Sequence, residues 1–275
     1  MPRHAHGKVW YNYEGNSSQS CRGGAAVVER QPHIQCRPGD VAPFVLLPGD
    51  PGRIHAIAAQ LDRWEQIACN REYRTITGTF RGMPVSATST GIGGPSTAIA
   101  VEELIRVGAR VLIRVGSAGA LQPGIRVGDL LVAVGAVREE GASAMYVPPA
   151  YPAVSDHAVL AALLKAAGDL GVTAHAGLVR SHDSFYTDRE DELTRFWAGK
   201  GVLGSDMETA TLLTLARLRG ARAASVLNVV VPADGGLEEG INDLVAGKEA
   251  ARQGETAEIR VALQALHALW TEESG

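Results

Sequence analysis

Two kinds of apolar pattern alternate along this chain of 275 residues. Short runs of Val, Leu, Ile and Phe at 44–47, 111–115, 129–137, 176–179 and 223–231 have strand length and are punctuated by Gly and Pro. Residues 71–80 read as a further strand entering a hairpin turn at Arg81-Gly82, with 84–88 returning. Between the strands lie helical stretches. One starts near Pro95-Ser96 and is stopped by Gly108; it turns Ile99, Val101, Leu104 and Ile105 inward and leaves Glu102 and Glu103 to solvent. Others are expected at 53–61, at 155–170 with Ser155 as cap and Ala158, Leu160, Ala161 and Leu164 as its apolar side, at 188–197, at 208–219 and at 247–270. Strand and helix alternate throughout, with no linker and no repeat. The expected fold is α/β: one three-layer α/β/α domain over 32–275 around a mixed central sheet. Residues 1–31 are polar and irregular and read as a mobile extension.

The centre of the pattern is the stretch 89–121. It runs from the turn Gly91-Ile92-Gly93-Gly94 through the helix into the strand 111–115, and then into a second expected turn of small residues, Gly116-Ser117-Ala118-Gly119. That strand carries one charge, Arg114, at its C-terminal end, where ligands sit in open α/β sheets. A guanidinium beside a hydroxyl-bearing turn suits phosphate, although a βαβ unit with a snorkelling arginine would read the same way. The stretch 48–53, Pro-Gly-Asp-Pro-Gly-Arg, offers a second strand–turn–helix junction whose free N–H groups and Arg53 favour an anion.

Composition narrows the class. A net charge of −4 and a pI near 6.1 argue against a nucleic-acid surface. No apolar run reaches the roughly 18 residues of a membrane helix, and the N-terminus lacks the apolar core of a signal peptide. Three cysteines, Cys21, Cys36 and Cys69, show neither pairing nor metal-ligand spacing, so a reducing, cytoplasmic setting is expected. His4 and His6 read as solvated residues rather than metal ligands.

Five motifs in a set order carry a family resemblance: Leu47-Pro48-Gly49-Asp50-Pro51 followed by Arg53, the 89–96 run, Ile113-Arg114-Val115-Gly116-Ser117, Ser184-Phe185-Tyr186, and Asp206-Met207-Glu208. Over about residues 32–270 the chain resembles the nucleoside phosphorylase family, of the uridine phosphorylase and hexameric purine nucleoside phosphorylase type. The resemblance implies a pentosyltransferase in which inorganic phosphate displaces a nucleoside base to give a pentose 1-phosphate. It implies phosphate as co-substrate, with no metal and no organic cofactor. Gly49, Arg53, Arg114 and Ser117 would line the phosphate site, with Arg71 reaching it from a neighbouring subunit, and Gly119 would belong to the substrate-binding residues. Met207 and Glu208 would hold the ribose, His33 would reach the sugar's 5′ end across a dimer interface, and Phe185 would lie beside the base. Arg114, Glu208 and Arg53 would carry the catalysis. Sites shared in this way imply a dimer at least, and the family is typically hexameric.

Three departures bear on specificity. Asp206 stands where the family usually has Glu. The Gln-x-Arg that reads uracil in bacterial relatives is not intact: Arg189 remains, among acidic neighbours able to hold it in a salt bridge. The Asp that assists purine release falls on Val231, with Asp234 three residues on. Val cannot donate a proton, which tilts the expected substrate toward uridine or another pyrimidine nucleoside. A purine or methylthioadenosine phosphorylase, and a catalytically weak nucleoside-binding protein, remain the alternatives.

Overall fold

The computed structural model describes residues 30–236, 240, 242, 246 and 249–274. The expected extension at 1–31 therefore lies outside the described residues, apart from Arg30 and Gln31. Ten strands are present: β1 (Phe44–Pro48), β2 (Arg63–Asn70), β3 (Tyr73–Phe80), β4 (Met83–Thr88), β5 (Val111–Ala120), β6 (Leu130–Glu139), β7 (Ala153–Val154), β8 (Ala174–His182), β9 (Gly204–Asp206) and β10 (Arg222–Val231). The described helices are α1 (Arg53–Ala58), α2 (Gly94–Arg106), α3 (Gly141–Ala144), α4 (His157–Asp169), α5 (Glu190–Ala198), α6 (Thr209–Leu218) and α7 (Glu249–Ser274).

All ten strands form one mixed sheet. β5 is its hub and is buried along most of its length, as a strand covered on both faces must be. It pairs in parallel with β1 on one side and β10 on the other. From β1 the sheet continues through β4, β3 and β2. From β10 it passes through β6, β8 and β9, and β9 returns to pair antiparallel with β5 at Gly119 and Ala120. Strands β5, β10, β6, β8 and β9 thus close a ring. So small a ring has little interior, and its filling is mostly small or single: Ala118, Ala120, Leu131, Ala133, Val179, Leu227 and Val229. Helices cover both sides of the sheet, α1, α4 and α7 packing on one core cluster and α2 and α6 on another.

Five sequence expectations need correction. The residues 116–119 are not a turn: β5 runs on to Ala120, because its glycines let β9 and β10 close in. β2 was not foreseen, since its exposed side chains show no alternation. Asp156, not Ser155, caps α4, accepting from the N–H groups of Ala158 and Val159; Ser155 is buried and donates to the Ala133 carbonyl at 2.6 Å. The buried face of α4 is Val159, Leu163, Ala166 and Ala167, while Ala161 and Leu164 are exposed; with apolar residues all round, periodicity could not choose the face. Glu103 faces inward, its carboxylate accepting from the backbone N–H of His33 and Ile34 at 3.0 and 2.9 Å.

Gly204 tests the ring. A Cβ there would lie 2.4 Å from Leu131 Cδ1 and 2.7 Å from the Gly119 carbonyl oxygen. Gly204→Ala is expected to destabilise the fold by about 1–3 kcal/mol, seen as a melting temperature lower by several degrees. An unchanged melting temperature would mean that the ring is loosely packed.

Candidate active site

β5 and α1 carry two guanidiniums toward one place, and because β5 runs on to Ala120, Arg114 lies within the strand and not at its C-terminal end as expected. Arg114 comes from β5 itself. Its side chain folds back over Gly116, where a Cβ would lie 2.5 Å from the Arg114 Cζ. Gly49, just after β1, lies beside the cluster, where a Cβ would stand 3.4 Å from the Gly91 carbonyl oxygen and 3.9 Å from Arg114 Nη1. Arg53, from the first turn of α1, donates through Nη1 to the Val115 carbonyl at 2.9 Å and through Nη2 to Ser117 Oγ at 3.0 Å. Both arginines are buried.

Buried charges must be paired. Arg114 Nε donates to Asp206 Oδ2 at 2.9 Å, and Nη2 lies 2.5 Å from Glu208 Oε2. The loop before α2 completes the arrangement: the N–H of Gly93, whose φ of 91° suits glycine, donates to Glu208 Oε1 at 2.6 Å. Asp206 has a different set of partners. Its carboxylate accepts from Ser181 Oγ at 2.6 Å and from Thr209 N and Oγ1 at 3.0 and 2.6 Å. It thereby joins β8, β9 and α6 to Arg114. Burial opposes the charge on Arg114, yet Glu208 and Asp206 outweigh it and hold the guanidinium more firmly protonated than usual. Burial raises the Glu208 carboxyl, against the pull of Arg114 and with the repulsion of Asp206. We take Glu208 as ionised, on the strength of its short contact with a guanidinium that does not give up its proton.

Other expected residues lie apart from this cluster. Gly119 borders it, near Val231 and Ser205, and Met207 is half-buried between the two carboxylates in sequence. Phe185 is half-buried and packs edge-on against Tyr186 at 4.8 Å. Arg189 is exposed and doubly bonded to Glu192, at 3.1 and 2.9 Å. His33 and Arg71 lie together elsewhere. His33 Nδ1 is 2.6 Å from Glu103 Oε1, and the His33 carbonyl accepts from Asn70, the neighbour of Arg71 in the β2–β3 turn. Arg71 is exposed with φ 54°. On the base side, Val230 and Val231 are buried, while Asp234 is exposed in the turn after Pro232. Sequence reasoning missed Ser181, Thr209, Glu255 and Glu258. Closure of the ring brings in Ser181 and Thr209, and the packing of α7 brings in Glu255 and Glu258, although a Glu facing the apolar side of a long helix, as Glu258 does, was a visible anomaly.

Two buried arginines beside buried carboxylates on and around a parallel strand are an arrangement with which an α/β enzyme can position a small charged ligand. Comparison with known proteins agrees. A model of the phosphorylase superfamily matches residues 43–267, and this chain belongs to that superfamily. Its resemblance to nucleoside phosphorylases, and the pentosyltransferase class read from it, are therefore upheld. The chain is 51% identical over 211 residues to a uridine phosphorylase of Thermococcus kodakarensis, covering 72% of this chain and 76% of that one. It is 41% identical over 240 residues to a guanosine phosphorylase of Halorubrum lacusprofundi, covering 87% and 99%. The crystal structure of a uridine phosphorylase from Vibrio fischeri ES114 superposes with a TM-score of 0.81 at 46% identity, covering 87% and 97%.

Gly116→Ala is the sharpest test of this geometry. Displacing Arg114 should weaken binding of inorganic phosphate about tenfold or more, measured by titration calorimetry. Unchanged binding would remove Arg114 from the anion site.

Proposed function

We propose that the protein catalyses phosphorolysis of uridine or a closely related pyrimidine nucleoside, releasing the base and pentose 1-phosphate. The observation that carries this reading is the 2.5 Å contact between Arg114 and Glu208. It puts a phosphate ligand and an acceptor for ribose hydroxyls side by side, as attack of phosphate on the anomeric carbon requires. Phosphate would lie on Arg53, Arg114, Ser117 and the Gly49 backbone. Glu208 and Met207 would hold the ribose, Glu208 by accepting its hydroxyl protons. A phosphate oxygen then bonds to C1′ as the C1′–N1 bond breaks, its electron pair leaving with the base. The phosphate dianion stabilises the oxocarbenium-like ribosyl group between them, and the arginines keep that dianion in line. The base takes its proton from water. No metal or organic cofactor has a step in this scheme; phosphate is the co-substrate.

The valines at 230–231 support a pyrimidine, which can leave as an anion stabilised on its carbonyl oxygens, whereas a purine gains from a proton donor at that position. Similarity to a guanosine phosphorylase over 87% of the chain favours a purine as the second reading. Arg189, held by Glu192, would have to exchange partners to reach a uracil edge.

We read the active form as a homo-oligomer, a dimer at least and a hexamer by family pattern, with His33 and Arg71 serving a neighbour's site. Their joint position away from Arg53 and Arg114 supports this. So do Ile92 and Met145, 79% and 86% exposed, as apolar area of the kind that interfaces cover. Among the described residues no helix is long and apolar enough to cross a membrane, and the free cysteines Cys36 and Cys69 accord with a cytoplasmic enzyme.

The test is base release from uridine, guanosine, adenosine and methylthioadenosine, each with and without phosphate. Phosphate-dependent uracil release is expected. Phosphate-dependent purine release would keep the mechanism and move attention to Asp234, and no release from any of them would leave only a binding protein. Glu208→Gln should lower kcat by about two to three orders of magnitude, as loss of a buried transition-state contact does. A second test concerns the shared site. Arg71→Ala and Glu208→Gln should each be nearly inactive alone, but co-expressed they should regain activity through mixed oligomers in which one site keeps both residues. No recovery would confine each site to one chain.

A further inference from the structure

Arg53 is held from behind by the C-terminal helix. Its Nε donates to Glu255 Oε2 at 3.0 Å, and its Nη1 lies 3.2 Å from Glu258 Oε1. Both carboxylates come from α7, some 200 residues later in the chain. Glu255 is 24% exposed, whereas Glu258 is 0% exposed. If both were ionised, the three groups would carry a net negative charge beside the place where a phosphate dianion is to bind. A proton kept on one of these carboxyls would ease the binding of that dianion.

The structure distinguishes the two. Glu255 reaches water. Glu258 accepts one hydrogen bond, from the Asn228 backbone N–H to Oε2 at 3.0 Å, and its Oε1 has no hydrogen-bond partner. The Asn228 Oδ1 is likewise without a donor. Gly254, one helical turn before Glu258, explains how the carboxyl comes so deep. A Cβ there would lie 2.0 Å from Asn228 Oδ1, so only glycine lets α7 approach β10 this closely. The charged groups facing Glu258 are Arg53 from α1, Arg114 from β5 and Glu255 from its own helix. Burial pushes the Glu258 carboxyl up to about 8; Arg53 pulls it down, Glu255 adds to the rise, and the Asn228 N–H and Arg114 lower it.

We propose that Glu258 is a positioning residue of the phosphate subsite: protonated, it seats Arg53 and leaves the guanidinium charge to the phosphate, and ionised, it takes that charge and weakens phosphate binding. The inference rests on the reading of Arg53 as a phosphate ligand. The sign follows from linkage. A bound dianion favours the neutral carboxyl, so binding takes up a proton wherever Glu258 was ionised beforehand. Affinity is then level below the carboxyl's pKa and falls above it, by up to about tenfold per pH unit. Inorganic phosphate is mainly a dianion in that range, and the remaining rise in its dianion fraction would strengthen binding with pH, opposite to the expected slope.

The experiment is calorimetric titration of the full-length protein with inorganic phosphate from about pH 7.5 to about pH 9.5, in two buffers of different ionisation heat. The expected result is a Kd that rises with pH toward about tenfold per unit, with proton uptake approaching one per phosphate bound. Glu258→Gln should flatten both and bind phosphate more tightly than the native protein at the alkaline end. Glu255→Gln should keep the slope, because its carboxyl is already open to water. A group that merely supports the fold would give no proton uptake, so a native Kd and uptake constant across the range would overturn the proposal, as would a Glu258→Gln protein that kept the slope. The native titration decides the matter even if that variant fails to fold. Phosphate binding that ignores pH would sink only the role of Glu258; no phosphate binding at any pH would sink the phosphate reading of Arg53 with it.

Discussion

The structure depends on one buried charge. Arg114 lies within β5 at the heart of the sheet, where an unpaired guanidinium would cost several kcal/mol. Asp206 and Glu208 offset that cost from two sides. The carboxylates are themselves satisfied: Asp206 by Ser181 and Thr209, Glu208 by the Gly93 N–H. Every partner belongs to a different element, so the pairing of one arginine dictates the relative placing of β5, β8, β9, α6 and the loop before α2. Removing one member would leave a buried charge uncompensated, which is far worse than removing the whole set.

That demand explains the ring of strands. β9 is only three residues long, too short to hold its place by backbone hydrogen bonds alone. It bridges β5 and β8 because Asp206, at its end, binds outward to both Arg114 and Ser181. The small residues filling the ring, Ala118, Ala120 and Ala133 with Gly204 at its wall, are the steric counterpart of the same closure. Arg53 enters from the other side of β5 through α1 and is braced by α7. The two guanidiniums therefore meet across a strand that neither can leave, which is preorganisation of the kind an anion site needs.

How much of this was legible follows from the range of each interaction. The strands 111–115 and 223–231 and the helix stop at Gly108 are written in local pattern and were read from it. Arg114 and Arg53 stood out because a charge at a strand end or helix start is locally odd. Glu103 was misread because amphipathic spacing treats a carboxylate as solvent-facing, while here it binds two backbone N–H groups about 70 residues away. Ser181, Thr209 and Glu258 went unnoticed for the same reason: their partners are distant in sequence, and no periodicity reports a distant partner. The residues 116–119 looked like a turn because glycines usually mark one. In this strand they mark the close approach of a folded arginine and of two neighbouring strands.

The same contrast divides the site, as we propose it, into two halves with different prospects for change. The phosphate and ribose half is built from buried, mutually paired groups on regular elements, and any substitution there unsettles several partners at once. The base half is built from Phe185, the residues after it and the turn after Val231, where Arg189, Tyr186 and Asp234 are exposed and held by few contacts. Substitutions on such a surface cost little stability. A chain of this design can therefore keep its phosphate chemistry while its base preference shifts, which accords with its similarity both to a uridine phosphorylase and to a guanosine phosphorylase. Base choice should then depend on what the residues after Phe185 and after Val231 offer to the leaving group. In the proposed reading the arginines and Glu208 meet only phosphate and ribose, which uridine and guanosine share.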